Sequence, residues 1–349
     1  MSDAMTQPPT PSLTRQDAGR FLGDYGLLVI LVLLVLIFNA ANPTFLSVAN
    51  ITKMLEQNAP LFIVAVGMTF AIISRNIDLS PGSMIALVGV VMGMIFASTG
   101  SILLALLGGF AASILIYVVN GILIAKIGIN PLIVTLAAWI WARGLAVSLT
   151  GGDSIVIRDP FITFMNNAKI WEIKPALVLI VLAFALGWFL LNRTRLGRYT
   201  YAMGGDERAT IQAGVDVVFY KILMFAMLGF FTAVGAVITI SRLGAAAPDA
   251  AYGLELDAIV AVIIGGNPFQ GGEGNLRKTL LGALFIAILN NGLSNLGMID
   301  AYFNVYKGLA IIAALLFGLV SRRLLEGKGG DDELLDPVGV SWVEPSGSV

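Results

Sequence analysis

Two residue types that carry much of protein chemistry are missing from this chain: it has no cysteine and no histidine. Disulfides, thiolate nucleophiles and imidazole relays are therefore excluded, and a metal could be held only by oxygen ligands. A phosphate-binding loop is missing as well. It would require Gly-x-x-x-x-Gly-Lys-Ser/Thr, and Arg277-Lys278-Thr279 lacks the glycine before its lysine. The chain cannot bind and hydrolyse ATP by itself, so energy for any pumping comes from a partner or from an ion gradient. Charge is scarce too, at 12% of residues against about a quarter in soluble domains. No cluster of nucleophile, base and metal ligands stands out, which makes a membrane enzyme the least favoured class.

What fills the space is apolar: 57% of the residues are hydrophobic and the mean hydropathy is +0.88. The apolar runs are about 20 residues long, the length of a helix that crosses hydrocarbon, and they do not alternate as barrel strands do. We expect an all-α integral membrane protein with ten spans, near 22–41, 58–75, 81–99, 101–126, 131–150, 175–192, 218–241, 256–268, 279–297 and 304–321. Residues 1–20, rich in Thr, Pro, Ser and Gln, read as a disordered leader, 21–322 as the membrane domain, and 323–349 as an acidic tail. Lys and Arg favour the cytoplasmic side of short loops. With the N-terminus inside, that side collects Arg75, Lys126, Arg193, Arg195, Arg198, Lys221, Arg277 and Lys278, against Lys53, Arg158, Lys174 and Arg242 outside. Both termini are thus expected in the cytoplasm of a multi-pass inner-membrane protein.

Polar groups among these runs need a purpose, because a charge at membrane depth costs roughly 2.5–3.5 kcal/mol on insertion scales. The segment from Gly67 to Ser83 sets Arg75, Asn76 and Asp78 between two apolar helices, with Arg75 the nearest partner for the acid. Asp78 either lines or gates a path, or caps the third span together with Ser80 and Pro81. Asn76 either meets a polar substrate or is a turn residue. Asn290, Asn291 and Asn295 lie within an apolar helix, and Asn291 and Asn295 share a face. They either line a path or bond to neighbouring helices. Glu255 and Asp257 read as acids at a helix start approached from outside, or as contacts for an external protein, and Arg143 and Lys307 as side chains that snorkel. Asp78 and Asp257 each stand beside a Gly-rich break in one half of the chain, a hint of weak internal duplication.

The longest polar loop runs over 193–217. Asp206 and Glu207 open a short helix, where the dipole favours acids, and Gly214 closes it. By position alone this could be a basic loop that only sets topology. Its wording, with Arg193, Thr194, Gly197, Arg198, Ala202, Gly204, Gly205, Ala209 and Gly214, resembles the loop of the ribose/xylose-type ABC sugar transporter permeases, the inner-membrane component of binding-protein-dependent systems. Thr210 and Arg208 depart from that pattern, where Ala and Glu are usual. Ile77-Asp78-Leu79-Ser80, the stretch Gly253 to Gly266 with Gly271-Gly272-Glu273-Gly274, and Leu289-Asn290-Asn291-Gly292-Leu293 resemble the same family.

The resemblance implies a permease subunit of an ABC importer for a monosaccharide or related polyol. It implies that Gly204, Gly205, Glu207, Ala209 and Gly214 couple to a separate ATPase subunit, which binds the ATP and Mg. It further implies a periplasmic sugar-binding protein and a second permease copy or homologue as partners, with membrane lipid around them and no nucleic acid. Asn76, Asp78, Ser80, Asn290, Asn291 and Asn295 are then the candidates for the translocation path or gate. Two rivals stay open: a related ABC permease for nucleosides or branched-chain amino acids, and a gradient-driven secondary transporter in which Asp78 would be the essential acid.

Overall fold

A computed structural model of the chain describes residues 15–168, 173–297 and 300–325. Fourteen helices make up nearly all of it: α1 (Arg15–Ala41), α2 (Val48–Gln57), α3 (Ala59–Ile73), α4 (Pro81–Thr99), α5 (Ile102–Ala125), α6 (Pro131–Thr150), α7 (Pro160–Asn167), α8 (Pro175–Arg193), α9 (Arg195–Gly205), α10 (Glu207–Gln212), α11 (Val217–Leu243), α12 (Leu254–Ile264), α13 (Leu276–Asn295) and α14 (Asp300–Leu325). The exception is a two-residue ladder in which β1 (Ile155–Val156) pairs antiparallel with β2 (Ala245–Ala246). Residues 1–14 of the expected leader and 326–349 of the acidic tail lie outside the described residues, while 15–20 form the first turns of α1.

Local chemistry sets most boundaries. Pro81, Pro131 and Pro175 open α4, α6 and α8, where a missing amide hydrogen costs nothing. Gly100, Gly151 and Gly244 close α4, α6 and α11 in the left-handed conformation that a Cβ disfavours. Asn130 and Asp216 cap the first turns of α6 and α11, each accepting from a backbone N–H.

α3 is the axle of the fold, with every residue from Ala59 to Ile73 buried. α11 packs against it and against α5. Small residues let α5 and α11 touch backbone to backbone: a Cβ on Gly229 would stand 3.0 Å from the Ile114 Cα, and the Ser113 hydroxyl donates to the Gly229 carbonyl at 2.7 Å. α12 and α13 meet still more closely, because a Cβ on Gly282 would fall 1.8 Å from the Ala261 carbonyl oxygen. At the periphery Leu103, Leu107 and Leu115 of α5 and Val181 and Leu182 of α8 face outward, as a lipid-facing surface requires.

A helix lies in each of the ten stretches expected to span, but their lengths are unequal. Among the described residues five helices, α4, α5, α6, α8 and α11, are long and apolar enough to cross a membrane. α2 and α3 make a sixth crossing when their 51° bend is taken as one broken span. Ten crossings are therefore not established by length and hydropathy. α12 has only 11 residues, α3 only 15, and α13 carries its amides in an otherwise apolar face.

Candidate functional site: two polar seams and a helix pair

Between α3 and α4 the chain leaves helical geometry for Asn76–Ser80 and remains buried there except at partly covered Ile77 and Leu79. Asp78 is wholly inaccessible. Its Oδ1 accepts from the Ser80 amide at 2.8 Å and from the Ser80 hydroxyl at 2.6 Å, which closes the turn ahead of α4, while Oδ2 has no partner. The Ser80 hydroxyl lies 3.4 Å from the Tyr117 hydroxyl, which also accepts from Thr232 at 3.1 Å. One polar thread thus crosses from α4 through α5 to α11. Asn76 turns back on its own chain, donating to the Ser74 carbonyl at 2.7 Å and the Ser74 hydroxyl at 3.1 Å, so it is a turn residue here.

Arg75 is not the partner of Asp78. Its backbone takes φ 61°, which swings the guanidinium out to the Gln270 carbonyl and, at 3.3 Å, the Gly205 carbonyl. The group facing the α4 start is instead Glu255, only 4% exposed. A Cβ on Gly82 would lie 2.0 Å from Glu255 Oε2, so the carboxylate rests on the first turn of α4, where the helix dipole favours it. Its other oxygen accepts from Trp139 Nε1 at 2.9 Å. Burial removes Glu255 from any surface that an external protein could contact. Arg143 does not snorkel either: it donates at 2.8 Å to the carbonyls of Pro248 and Ala250 and lies over the Tyr252 ring.

A second seam lies along α13. Asn291 and Asn50 of α2 exchange amide bonds at 2.9 and 3.3 Å, and Asn295 donates to both of them, at 3.1 Å to Asn291 and 3.2 Å to Asn50. Asn290 points to a different side, donating weakly to Asn58 at 3.3 Å and to Asp257 at 3.4 Å, and its own Oδ1 is buried without a partner. Lys307 does not snorkel, since its Nζ sits 2.5 Å from Asp257 Oδ1. Asn50 and Asn58 escaped the sequence reading, although both are amides flanking an apolar run, the same signal that singled out α13.

In the polar loop the short helix expected from Glu207 forms as α10, with Asp206 Oδ1 accepting from the Ala209 amide at 3.0 Å and Gly214 at φ 82° just beyond it. A second helix, α9, precedes it. Its arginines read as a loop in sequence, but Leu196, Gly197, Thr200, Met203 and Gly204 give it a buried face. Gly204 has no room for a side chain, a Cβ falling 1.7 Å from the Ile73 carbonyl oxygen, whereas Gly205 faces open space. Glu207 is held at 2.7 Å by Lys221 of α11. Ala209, Ile211 and Gly214 stay exposed on the outer side of α10. Tyr201 donates to the Gly274 carbonyl at 2.7 Å, and burial pushes its phenol above the ordinary range, so it stays a donor.

Residues 50–315 match the family described as the permease component of the branched-chain amino acid transport system. The ribose import permease protein of Haemophilus influenzae is 36% identical over 307 residues, covering 85% of this chain and 94% of that one. The chain belongs to the ribose-type ABC sugar permease family. The ribose import permease protein of Bacillus subtilis is 39% identical over 305 residues, 86% of this chain and 92% of the other. The D-allose transport system permease protein of Escherichia coli K12 is 34% identical over 307 residues, 86% and 94% respectively. No solved structure matches the chain.

Proposed function

We propose that this chain is the transmembrane subunit of an ABC importer that carries a monosaccharide or related polyol across the bacterial inner membrane. The observation that carries this is the match over nearly the whole length to relatives named for ribose import and D-allose transport. The chain performs no chemistry. A separate ATPase subunit binds ATP and Mg, a periplasmic binding protein delivers the sugar, and a second permease copy or homologue completes the pore. In this reading the chain crosses the membrane ten times with both termini in the cytoplasm; α3 crosses together with α2, and α12, whose 11 residues rise only about 16 Å, crosses with the help of the non-helical chain on either side of it.

The exposed side of α10, with Ala209 and Gly214, is the docking surface for the ATPase. Gly204 lets α9 lie close on the end of α3, Gly205 next to it faces open space, and Glu207 fastens α10 to α11 through Lys221. Asp78 and Ser80 gate the path at the chain break. Asn290 is the amide best placed to meet a sugar hydroxyl because its Oδ1 is unclaimed, whereas Asn291 and Asn295 bond across helices. A neutral cargo suits this interior. Asp257 is neutralised by Lys307, and a charged solute would require an opposite buried charge to receive it.

The test is uptake of labelled pentoses and hexoses by proteoliposomes holding the chain, its ATPase and its binding protein, with and without internal ATP. Uptake strictly dependent on both ATP and binding protein is expected. Uptake by this chain alone under an imposed ion gradient would overturn the proposal in favour of a secondary transporter. Branched-chain amino acids belong in the same panel, because the family description names them. In the working system, enlarging Ala209 to Trp is expected to cut uptake about tenfold or more while the protein stays in the membrane.

A further inference from the structure

Arg75 has a backbone that a side-chain-bearing residue rarely adopts, with φ 61°. Its surroundings explain why the conformation persists. The Arg75 amide donates to the Ile72 carbonyl and the Asn76 amide to the Ala71 carbonyl, ending α3 in a tight turn. That turn aims the guanidinium at two carbonyls on two other parts of the chain: Gln270, in the loop from α12 to α13, and Gly205, at the end of α9. A planar fork of donors can hold two acceptors at once, which a lysine ammonium on its flexible stem does poorly.

The three segments are closed on one another around it. The Gly272 amide donates to the Ile73 carbonyl at 2.8 Å, and Tyr201 of α9 donates to the Gly274 carbonyl at 2.7 Å. Side chains are excluded at the seam: a Cβ on Gly271 would lie 2.6 Å from the Arg75 Cγ, and one on Gly204 would lie 2.5 Å from the Gly272 amide nitrogen. The base of the loop is equally tied. Asn267 accepts from the Asn275 amide at 2.7 Å and donates to Thr279 at 3.0 Å, and Thr279 meets Thr69 of α3 at 2.7 Å.

We infer that Arg75 is a positioning residue for transport, a strut that locks the α9–α10 pair to the end of α3 and to the α12–α13 loop, so that a displacement of α10 moves both chain breaks together. The inference rests on the ABC importer reading, which makes α10 the point where force enters. The break at Asn76–Ser80 follows Arg75 directly in the chain, and the loop it grips leads into α13 with its amide seam. Without the strut, α10 would keep its tie to α11 through Lys221, but the end of α9 would lose its guanidinium link to the end of α3 and to the α12–α13 loop, and less cargo would move for each ATP hydrolysed.

The experiment uses the full complex in proteoliposomes and reads sugar transported per ATP hydrolysed, together with the ATPase rate, the sugar KM and recovery of the assembled complex. In Arg75→Ala the transport-to-hydrolysis ratio is expected to fall about tenfold, with the ATPase rate and KM within about twofold of the parent. A wild-type ratio, or an equal loss of hydrolysis and transport, overturns the strut. Where Arg75→Ala does not assemble, Arg75→Lys and Tyr201→Phe carry the test. Their ratios are expected to fall about threefold and about twofold, and wild-type ratios in both overturn it. Failure of the importer reading shows separately, since the unmodified complex would then lack ATP-dependent uptake before any variant is compared.

Discussion

Asp78 and Asp257 look alike in sequence, each an acid beside a Gly-rich break in its half of the chain, yet the folded protein treats them in opposite ways. Asp78 is completely buried and takes its hydrogen bonds from its near neighbour Ser80, with one carboxylate oxygen left over. Asp257 keeps 17% of its side-chain surface and is neutralised across helices by Lys307, with Asn290 alongside. The difference follows from what each break must do. The α3–α4 segment turns within the core, so its acid organises the turn. The start of α12 lies between α4 and α14, so Asp257 joins α12 to α14 while Glu255 braces α4. The two helix starts, of α4 and α12, meet in the folded protein, with Glu255 against Gly82.

The largest effect is expected at Asp78. Asp78→Ala strips a buried amide and hydroxyl of their acceptor, each costing about 1–3 kcal/mol, and should lower the melting temperature markedly and abolish uptake. Asp78→Asn keeps an acceptor for Ser80 while removing the charge, and it separates the two roles left open by the sequence. Full stability with lost uptake marks a gate. Full stability with full uptake would leave Asp78 as a turn former and bring the two acids closer in function than their surroundings imply.

A smaller effect is expected from the pair. Lys307→Met leaves Asp257 with an uncompensated charge, and Asp257→Asn leaves Lys307 likewise, so each single change should destabilise. The double variant should recover part of that loss, with a coupling energy of roughly 1–2 kcal/mol for a partly exposed pair. Melting curves of the four proteins in detergent measure it. Additive losses would show that the two charges do not depend on each other, and would make Asp257 as self-contained as Asp78.

Much of the fold could be read from the sequence, because lipid makes helices obligatory and Pro and Gly mark their ends. Pro81 opens α4, which runs over the expected 81–99, and Asp206 with Gly214 bound α10. What escaped has two physical sources. α9 hid because its polarity follows from lying along the edge of the membrane domain, and a short stripe of buried residues among arginines resembles a loop. α2 hid because it is polar on one side and runs into α3 with a bend. The site contacts escaped for a different reason. Arg75 reaches residues 130 and 195 positions away, and Asn291 reaches one 241 positions away, so nothing local to either signals the partner. Proximity in sequence pairs Arg75 with Asp78, whereas its left-handed backbone turns it away.

The smallest effect is expected on α13, where two adjacent amides should behave differently. Asn291 is 4% exposed and both ends of its amide are taken up by Asn50 and Asn295, so it has nothing left for a solute. Asn291→Leu should therefore cost about 0.6 kcal/mol per interhelical bond lost, and at most about 1.7, and leave the sugar KM unchanged in the assembled transporter. Asn290→Leu should do the reverse, disturbing stability little because its bonds are long, and raising KM severalfold if its free carbonyl oxygen meets the sugar. Uptake titrations on both variants decide the matter. A KM shift for Asn291→Leu with none for Asn290→Leu would reverse the two assignments and place the path on the α2 side of α13, away from the Asp257–Lys307 pair.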